Sequence, residues 1–286
     1  MSSRIRSRKP EKPGERAARW IARIILGLFA ILTIYPMIFM LLTSGKSTGE
    51  FYSNIWGLPK NFEFENYVFA WDVANIGDYF ITSVFVVCIV VVATLVLAAL
   101  AGYALAKCDI PYSNLIMTVI FLLNMLPSES VLMPMYLITA KMGILGTRLS
   151  LILPYIGWGL SFAIYIYRNF FKTIPSTIIE AARIDGCSEI KVFFKVVLPM
   201  MLPATATNAI FCFLGWWGEL LWASVDLSTS SVKTLPMGIT AFMQSSGTNW
   251  GPLSAASCII MIPTIIVFLA FQKYFISGIT GGAVKG

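Results

Sequence analysis

The sequence predicts an all-α integral membrane protein with six transmembrane helices. Three observations support this fold class: 57% of the 286 residues are hydrophobic, only 12% are charged, and the mean hydropathy is +0.78. Such a composition excludes an ordinary soluble domain. A helix needs about 20 apolar residues to cross a bilayer core about 30 Å thick. Six runs of about that length are present, at 20–42, 79–106, 115–138, 149–167, 200–222 and 254–274.

The first element, 1–19, is predicted to be a basic cytoplasmic tail ahead of a membrane domain that covers 20–275. Basic residues favour the cytoplasmic ends of membrane helices. Six crossings then return a second tail, 276–286, to the cytoplasm. The net charge of +7 is therefore an orientation signal and does not indicate a nucleic-acid partner. The basic residues that precede or begin the first span are Arg4, Arg6, Arg8, Lys9, Lys12, Arg16, Arg19 and Arg23, and those left outside are Lys46, Lys60, Lys141, Arg148 and Lys233.

Prolines at positions 36, 127, 154 and 263 lie inside predicted spans. Proline removes a helical hydrogen bond and clashes with the preceding turn, so each one predicts a kink or local unwinding. The freed carbonyls are tolerated where neighbouring helices or water satisfy them.

The residues 180–199, EAARIDGCSEIKVFFKVVLP, form a polar interruption that is too short and too charged to cross a membrane. Thr177 and Glu180 have the spacing of a capping box, which predicts a short helix after Pro175 and Ser176. Gly186 would end it. A second helix is predicted from apolar residues at i, i+3, i+4 and i+7, ended by Pro199. Those apolar residues are Ile190, Phe193, Phe194 and Val197.

This helix–turn–helix has the composition of a protein contact surface. The small side chains of Ala181 and Ala182 would allow another surface to approach closely, and nearby charges would give the contact direction. The alternative is an ordinary amphipathic loop that packs on its own bundle. The charged residues are Glu180, Arg183, Asp185 and Glu189.

Metal and catalytic sites are not predicted. The five cysteines show no CxxC spacing, which argues against a disulfide framework and a zinc site. The chain has no histidine, so histidine acid–base catalysis and HExxH metal sites are excluded. Gly45-Lys46-Ser47 matches the end of a phosphate-binding loop, but the required glycine five residues earlier is Met40.

The spacing of Glu180-Ala181-Ala182, Gly186, Val196 and Leu198-Pro199 resembles the cytoplasmic signature of permease subunits in binding-protein-dependent ABC importers. The likeness extends over nearly the whole chain. Within that family, the chain is similar to the second permease subunit of maltose-type systems. Two positions depart from that family, because Thr82 and Gly218 stand where it often has asparagine. The departure at Gly218 puts in doubt any substrate contact that the resemblance would imply at that position. Further matching motifs are Tyr35-Pro36, Thr43-Ser44-Gly45-Lys46, Asn66-Tyr67, the sequence AGYALA at 101–106, TLPMG at 234–238 and GITGGAVKG at 278–286.

The resemblance implies the type I ABC importer permease fold, in which a loop, here 169–199, couples the spans to a cytoplasmic ATPase. The expected partners are a homologous permease subunit in a heterodimer, two ATPase subunits and an extracytoplasmic sugar-binding protein facing an outer loop from about 224 to 251. This chain would bind no cofactor itself, since ATP and Mg belong to the ATPase, and it would lie in the bacterial inner membrane with both termini cytoplasmic. The tail residues Lys285 and Gly286 would also contact the ATPase. The expected coupling residues are Glu180, Ala181, Ala182, Arg183, Asp185, Gly186, Leu198 and Pro199.

Two carboxylates, Glu129 and Glu219, lie within or at the edge of predicted spans, where a lone charge costs roughly 2.5 to 3.5 kcal/mol. With a sugar as substrate, either could bind hydroxyl groups while Trp217 and Trp222 stack on pyranose rings. The alternative is that Trp216 and these two indoles form an interfacial belt and that the carboxylates pair with the partner subunit.

Two other classes of protein compete with an ATP-driven importer. A secondary, proton-coupled transporter could use Glu129 or Glu219 as proton carriers, but it leaves 180–199 unexplained. An integral-membrane enzyme is disfavoured, because this chain has no histidine and no cluster of acidic residues that offers a metal-binding pair.

Overall fold

The computed structural model describes residues 13–240, 242–244 and 247–283, and helices dominate it as predicted. Lys285 and Gly286, the predicted contact residues of the C-terminal tail, lie outside the described residues. Residues 1–12, most of the predicted basic tail, lie outside them as well. A short antiparallel pair joins β1 (Met243–Gln244) to β2 (Gly247–Thr248). The helices are α1 (Pro13–Ser44), α2 (Thr48–Ser53), α3 (Glu65–Val68), α4 (Ile76–Lys107), α5 (Ser113–Leu122), α6 (Ser128–Lys141), α7 (Arg148–Thr173), α8 (Ser176–Ile184), α9 (Glu189–Lys191), α10 (Leu198–Met200), α11 (Leu202–Trp217), α12 (Leu221–Asp226), α13 (Leu235–Thr240) and α14 (Trp250–Ala283).

Three segments depart from α-helical pitch. Phe69–Val73 and Val192–Val197 are π-helical, and Leu123–Met125 is a 3-10 turn. Each continues directly from an α-helix.

The described part of the chain contains four helices that are long and apolar enough to cross a membrane, and up to six crossings if each of two bent pairs counts as one. The four lie within α1, α4, α7 and α14, where continuous spans were predicted. The other two predicted runs, 115–138 and 200–222, belong to the two bent pairs, so six crossings result only if each pair is one span.

One bend lies at a proline and the other at a methionine. The first pair, Ser113–Met125 and Ser128–Lys141, bends by 97° at Pro127, whose backbone is extended (ψ 128°). This confirms the break predicted there. The second pair, Glu189–Met200 and Leu202–Asp226, bends by 75° at Met201. In contrast, Pro36, Pro154 and Pro263 lie inside continuous helices, so no unwinding occurs at them.

The centre of the fold is the close packing of α4 against α7, with α11 on α4 and α14 on α11. Gly102 of α4 permits this approach: a Cβ there would lie 2.8 Å from the Cβ of Tyr167 and 3.1 Å from the backbone nitrogen of Arg168. Close approach at small residues is how membrane helices gain packing energy without a hydrophobic driving force. In contrast, α1 packs mainly on α14, and the apolar part of its span is exposed on this chain.

Two basic side chains are buried as internal ties, which the charge pattern alone did not reveal. Lys46 is 1% exposed, and its Nζ donates to the carbonyl oxygens of Asn54 (2.7 Å) and Ile55 (3.0 Å). Arg168 is also buried and donates to the Leu105 carbonyl and to Asn114 Oδ1. A buried cation must be hydrogen-bonded to be tolerated, so both residues hold chain segments together.

Candidate coupling surface and central cavity

The polar interruption begins with α8, but the predicted capping box is wrong. The N-cap residue is Pro175, extended at ψ 134°, and no side chain caps the helix. Thr177 therefore lies inside the first turn, where its hydroxyl is not placed to act as the N-cap of this helix.

The helix α8 ends in a Schellman motif centred on Gly186. The predicted end of the helix at this glycine is therefore confirmed. Gly186 has φ +77°, its N–H donates to the Arg183 carbonyl, and the N–H of Cys187 donates to the Ala182 carbonyl, both at 3.0 Å. This pair of hydrogen bonds defines the motif, and the left-handed backbone favours glycine. The turn sets the angle at which the chain leaves α8.

The segment after the turn is helical, but its buried face differs from the predicted one. Val192, Phe193 and Val197 are buried, whereas Ile190 and Phe194 are 72% and 54% exposed. The reason is the π-helical pitch of Val192–Val197, because hydrogen bonds from i to i+5 bring residues five apart onto one face. The segment also continues through Pro199 to Met200, so the predicted stop at Pro199 falls two residues before the bend.

The two alanines of the predicted contact face point to different sides. Ala182 is buried with Ile179 in the chain's own core, whereas Ala181 is exposed. One face of α8 therefore packs on the chain's own bundle, and the other remains open. The most exposed apolar side chain of the open face is Ile184, at 86%.

The charges on this segment are arranged around the turn. Arg183 and Glu189 form a bidentate pair, with Nε–Oε1 at 2.6 Å and Nη2–Oε2 at 3.1 Å, which bridges α8 and α9. The hydrogen bond to Glu189 raises the pKa of Arg183 above its ordinary value. Since both side chains are solvent-exposed, the pair fixes geometry and adds little stability. Glu180 and Asp185 are exposed as well.

An aromatic cluster connects this segment to the membrane helices. Tyr103 of α4 packs against Phe171 of α7 (ring centroids 5.6 Å apart) and against Phe193 of the π-helical segment (5.1 Å). Ile179 and Ala182 join the same core. A displacement of α8 would therefore push directly on α4 and α7.

A cavity of about 520 Å³ lies between two helix breaks, one at Pro127 and the other between α11 and α12. One wall comes from the break around Pro127, and the other from α7 and from the break between α11 and α12. Its lining residues are Leu123, Asn124, Leu126, Ser128, Val131, Leu132, Gly157, Trp158, Ser161, Trp216, Glu219, Leu221 and Trp222.

Glu219 lines this cavity, but both of its carboxylate oxygens are occupied. Oε1 accepts from the N–H of Trp222 at 2.7 Å, and Oε2 accepts from the N–H of Ala223 and from the Tyr155 hydroxyl. The carboxylate thus caps the first turn of α12 and ties it to α7.

Replacing Glu219 by alanine is expected to lower the thermal midpoint of the purified protein, because three donors lose their acceptor at about 1–3 kcal/mol for each one left buried and unpaired. Glu219→Gln keeps one acceptor oxygen and should have a smaller effect. Thermal unfolding in detergent, followed by size-exclusion chromatography, measures both. Equal midpoints for wild type and Glu219→Ala would show that the capping role is wrong.

The other predicted pathway residues do not gather at the cavity surface. Glu129 is exposed outside the lining set, and Trp217 is buried on another side of α11, with Nε1 donating to the Ile260 carbonyl at 3.0 Å. Trp222 borders the cavity but is fully buried, and its Nε1 donates to the Ser150 carbonyl. Sequence reasoning missed Trp158, although its spacing of three from Tyr155 on one helix was a usable signal.

Comparison with known proteins adds an independent observation. Residues 95–281 match the family described as "Binding-protein-dependent transport system inner membrane component". The chain is 35% identical over 268 residues to the diacetylchitobiose uptake system permease protein NgcG of Streptomyces coelicolor, covering 93% of this chain and 88% of the relative. It is 32% identical over 274 residues to the arabinooligosaccharides transport system permease protein AraQ of Bacillus subtilis, covering 93% and 97%.

The fold is also similar to a solved structure. A chain in the crystal structure of a bacterial ABC transporter involved in the import of the acidic polysaccharide alginate superposes with a TM-score of 0.78 at 24% identity. The match covers 94% of this chain and 100% of that one. In the part of the chain described here, no group of three or more His, Cys, Asp or Glu side chains could hold a metal ion.

Proposed function

Since the chain belongs to the family of binding-protein-dependent transport system inner membrane components, we propose that it carries a sugar across a bacterial membrane, driven by a separate ATPase. It is the permease subunit of an ABC importer and not itself an enzyme. We propose an oligosaccharide as the substrate because the relatives NgcG and AraQ are named for diacetylchitobiose and arabinooligosaccharides.

In this proposal the chain forms half of a translocation pathway, with a homologous permease subunit as the other half. A sugar-binding protein delivers the substrate from outside, and two cytoplasmic ATPase subunits bind ATP and Mg. Both termini lie in the cytoplasm, and Lys285 and Gly286 contact the ATPase. The large exposed apolar surface of α1 supports a membrane domain over 20–275.

The single observation that carries the coupling proposal is the exposed apolar face of the 180–199 segment. Ile184, Ile190 and Phe194 are more than half exposed, although they belong to a segment whose other face is anchored in the core. Exposed apolar side chains beside charged ones mark protein contact sites. The aromatic cluster of Tyr103, Phe171 and Phe193 would pass ATPase closure on to α4 and α7.

A photo-cross-linking side chain at Ile184 is expected to capture the ATPase in membranes that contain the whole importer. The same cross-linker at Ile179, five residues earlier on the same helix, is the matched control, because Ile179 is buried in the chain's own core. An ATPase adduct at 184 and none at 179 supports the docking surface. Repeated failure at 184 and at Ile190, with uptake intact, would refute it.

The proton-coupled alternative gains no support from the relatives above, which are named as permease proteins of an uptake system and of a transport system. The geometry also disfavours it, since Glu219 is held by three donors and Glu129 lies outside the cavity.

A further inference from the structure

The cavity between the two helix breaks has features of a binding site. Backbone that leaves helical geometry at membrane depth is tolerated where it is buried in protein or lines a water-filled space. Here the break at Pro127 borders the cavity through Leu126 and Ser128, and the interruption between α11 and α12 borders it through Glu219 and Leu221. Its volume of about 520 Å³ falls in the range of about 300–1,000 Å³ that small-molecule sites occupy.

One wall of the cavity is an aromatic surface made by Trp158 and Trp216. Their rings are inclined by only 14° with centroids 6.0 Å apart, and Trp216 stacks on Tyr155 at 4.6 Å and 13°. Tyr155 is buried behind them, whereas both indoles are half-buried and keep accessible surface. The three nearly parallel rings pack on one another, so the apolar surface is rigid. A ligand that binds to it would therefore cost little side-chain conformational entropy.

Three neutral polar residues line the cavity beside this wall. Asn124, Ser128 and Ser161 line the cavity and together offer amide and hydroxyl groups that both donate and accept hydrogen bonds. These are the partners that sugar hydroxyls need. A flat apolar face beside neutral hydrogen-bonding groups matches a pyranose ring, which has an apolar C–H face and a polar edge.

The ionisable residues of the cavity bear on whether it could hold an acidic sugar. Glu219 is the one ionisable side chain in the lining set of described residues, and its oxygens are held by Tyr155, Trp222 and Ala223. No lysine or arginine is in the lining set, so the cavity offers no cation to pair with the carboxylate of an acidic sugar.

A second cavity of about 160 Å³ continues from this wall along α11. It shares Trp158 and Trp216 and includes Asn208, whose Oδ1 has no hydrogen-bond partner within the described ranges. Because Asn208 lies about two turns nearer than Trp216 to the 180–199 segment, the two cavities follow α11 towards the coupling surface.

From these observations we propose that Trp158 and Trp216 form a stacking site for a neutral pyranose ring, with Asn124, Ser128 and Ser161 binding its hydroxyl groups and with acidic sugars excluded. Glu219 positions α12 and does not bind the sugar. The proposal rests on the sugar-importer function above and assigns to this subunit a direct part in substrate selection.

The test uses the complete importer, purified in nanodiscs without its binding protein, so that selection by the permease is measured alone. Retention of radiolabelled neutral trisaccharides (maltotriose, cellotriose and triacetylchitotriose) is compared with that of trigalacturonate by equilibrium dialysis. We expect at least one neutral trisaccharide to bind and Trp158→Leu and Trp216→Leu each to weaken it by about tenfold, as expected when an aromatic contact is lost. Trigalacturonate should bind to the wild-type importer no better than it binds to the Trp158→Leu variant.

Conservative and matched variants separate the stacking role from folding. Trp158→Phe and Trp216→Phe keep an aromatic face and should retain most of the binding. Tyr165→Leu removes an aromatic ring seven residues from Trp158 on the same helix, outside both cavities, and should leave binding unchanged. Equal sugar retention by wild type and both leucine variants would overturn the site, as would binding of trigalacturonate that the leucine variants lose, or no retention of any neutral trisaccharide by wild type.

ATP-driven uptake into proteoliposomes with the binding protein distinguishes this failure from failure of the proposed function. If wild type takes up no sugar there, the importer assignment itself is wrong. If it takes up sugar and the dialysis result is negative, only the Trp158–Trp216 site is wrong.

Discussion

Replacing Gly186 by valine is expected to reduce sugar uptake by about 10- to 100-fold, the usual scale of coupling between two sites, while ATP hydrolysis continues. Gly186 has φ +77°, where a residue with a Cβ costs roughly 1–2 kcal/mol and a β-branched one is a clear outlier. No atom lies within 4 Å of a Cβ built there, so the strain is in the backbone alone. The Schellman turn should open and change the angle between α8 and the π-helical segment.

Uptake and ATPase activity of the reconstituted importer measure this uncoupling. Gly143→Val is the matched control, because Gly143 has φ +70°, open space at its Cβ and the same pair of hydrogen bonds at the end of α6. It carries similar local strain far along the chain from the coupling surface. Full uptake by Gly186→Val, or equal loss in both variants, would contradict a specific role for the turn after α8.

Replacing Gly102 by valine is expected to prevent stable folding of the membrane domain. Its Cβ would meet Tyr167 Cβ at 2.8 Å and the backbone nitrogen of Arg168 at 3.1 Å, and neither atom is the end of a flexible side chain. Overpacking of a tight interface typically costs about 1–3 kcal/mol and occasionally more. The cost falls on α4 and α7, whose separation would also disturb the Arg168 hydrogen bonds to Leu105 and Asn114.

The yield of monodisperse protein and its thermal midpoint in detergent measure the loss, with Gly102→Ala expected to lie between wild type and Gly102→Val. The control is Gly27→Val in α1, a glycine inside another span with no atom within 4 Å of a Cβ built there. A Gly102→Val protein as stable as Gly27→Val would show that α4 and α7 can move apart at little cost.

The spans were predictable where hydrophobicity alone decides them. The helices α1, α4, α7 and α14 are continuous where long apolar runs were found, because lipid requires each backbone group to be satisfied within its own segment. The other two predicted runs, 115–138 and 200–222, belong to bent pairs; the first pair bends inside the run and the second near its start. Proline signalled the first break, but proline also occurs in three helices that continue, so the residue type could not show which breaks would form.

The candidate sites show the same division at the level of single residues. The turn at Gly186 was predictable because a positive φ favours glycine. The opposite orientations of Ala181 and Ala182, and the burial of Val192 in place of Ile190, depend on where α8 docks and on a π-helical pitch. Neither property has a local pattern in the sequence.

The membrane class, the resemblance to the family and the turn that ends α8 could be read from the amino-acid sequence, because composition, spacing and glycine act locally. Three other features emerge only when the helices pack: Trp158 and Trp216 meet beside two helix breaks, Glu219 is a structural cap, and Lys46 and Arg168 are buried. These outcomes join residues from separate helices, as when Glu219 and Tyr155 meet across 64 positions of the chain. Such contacts depend on packing between helices, which no pattern within one helix can encode.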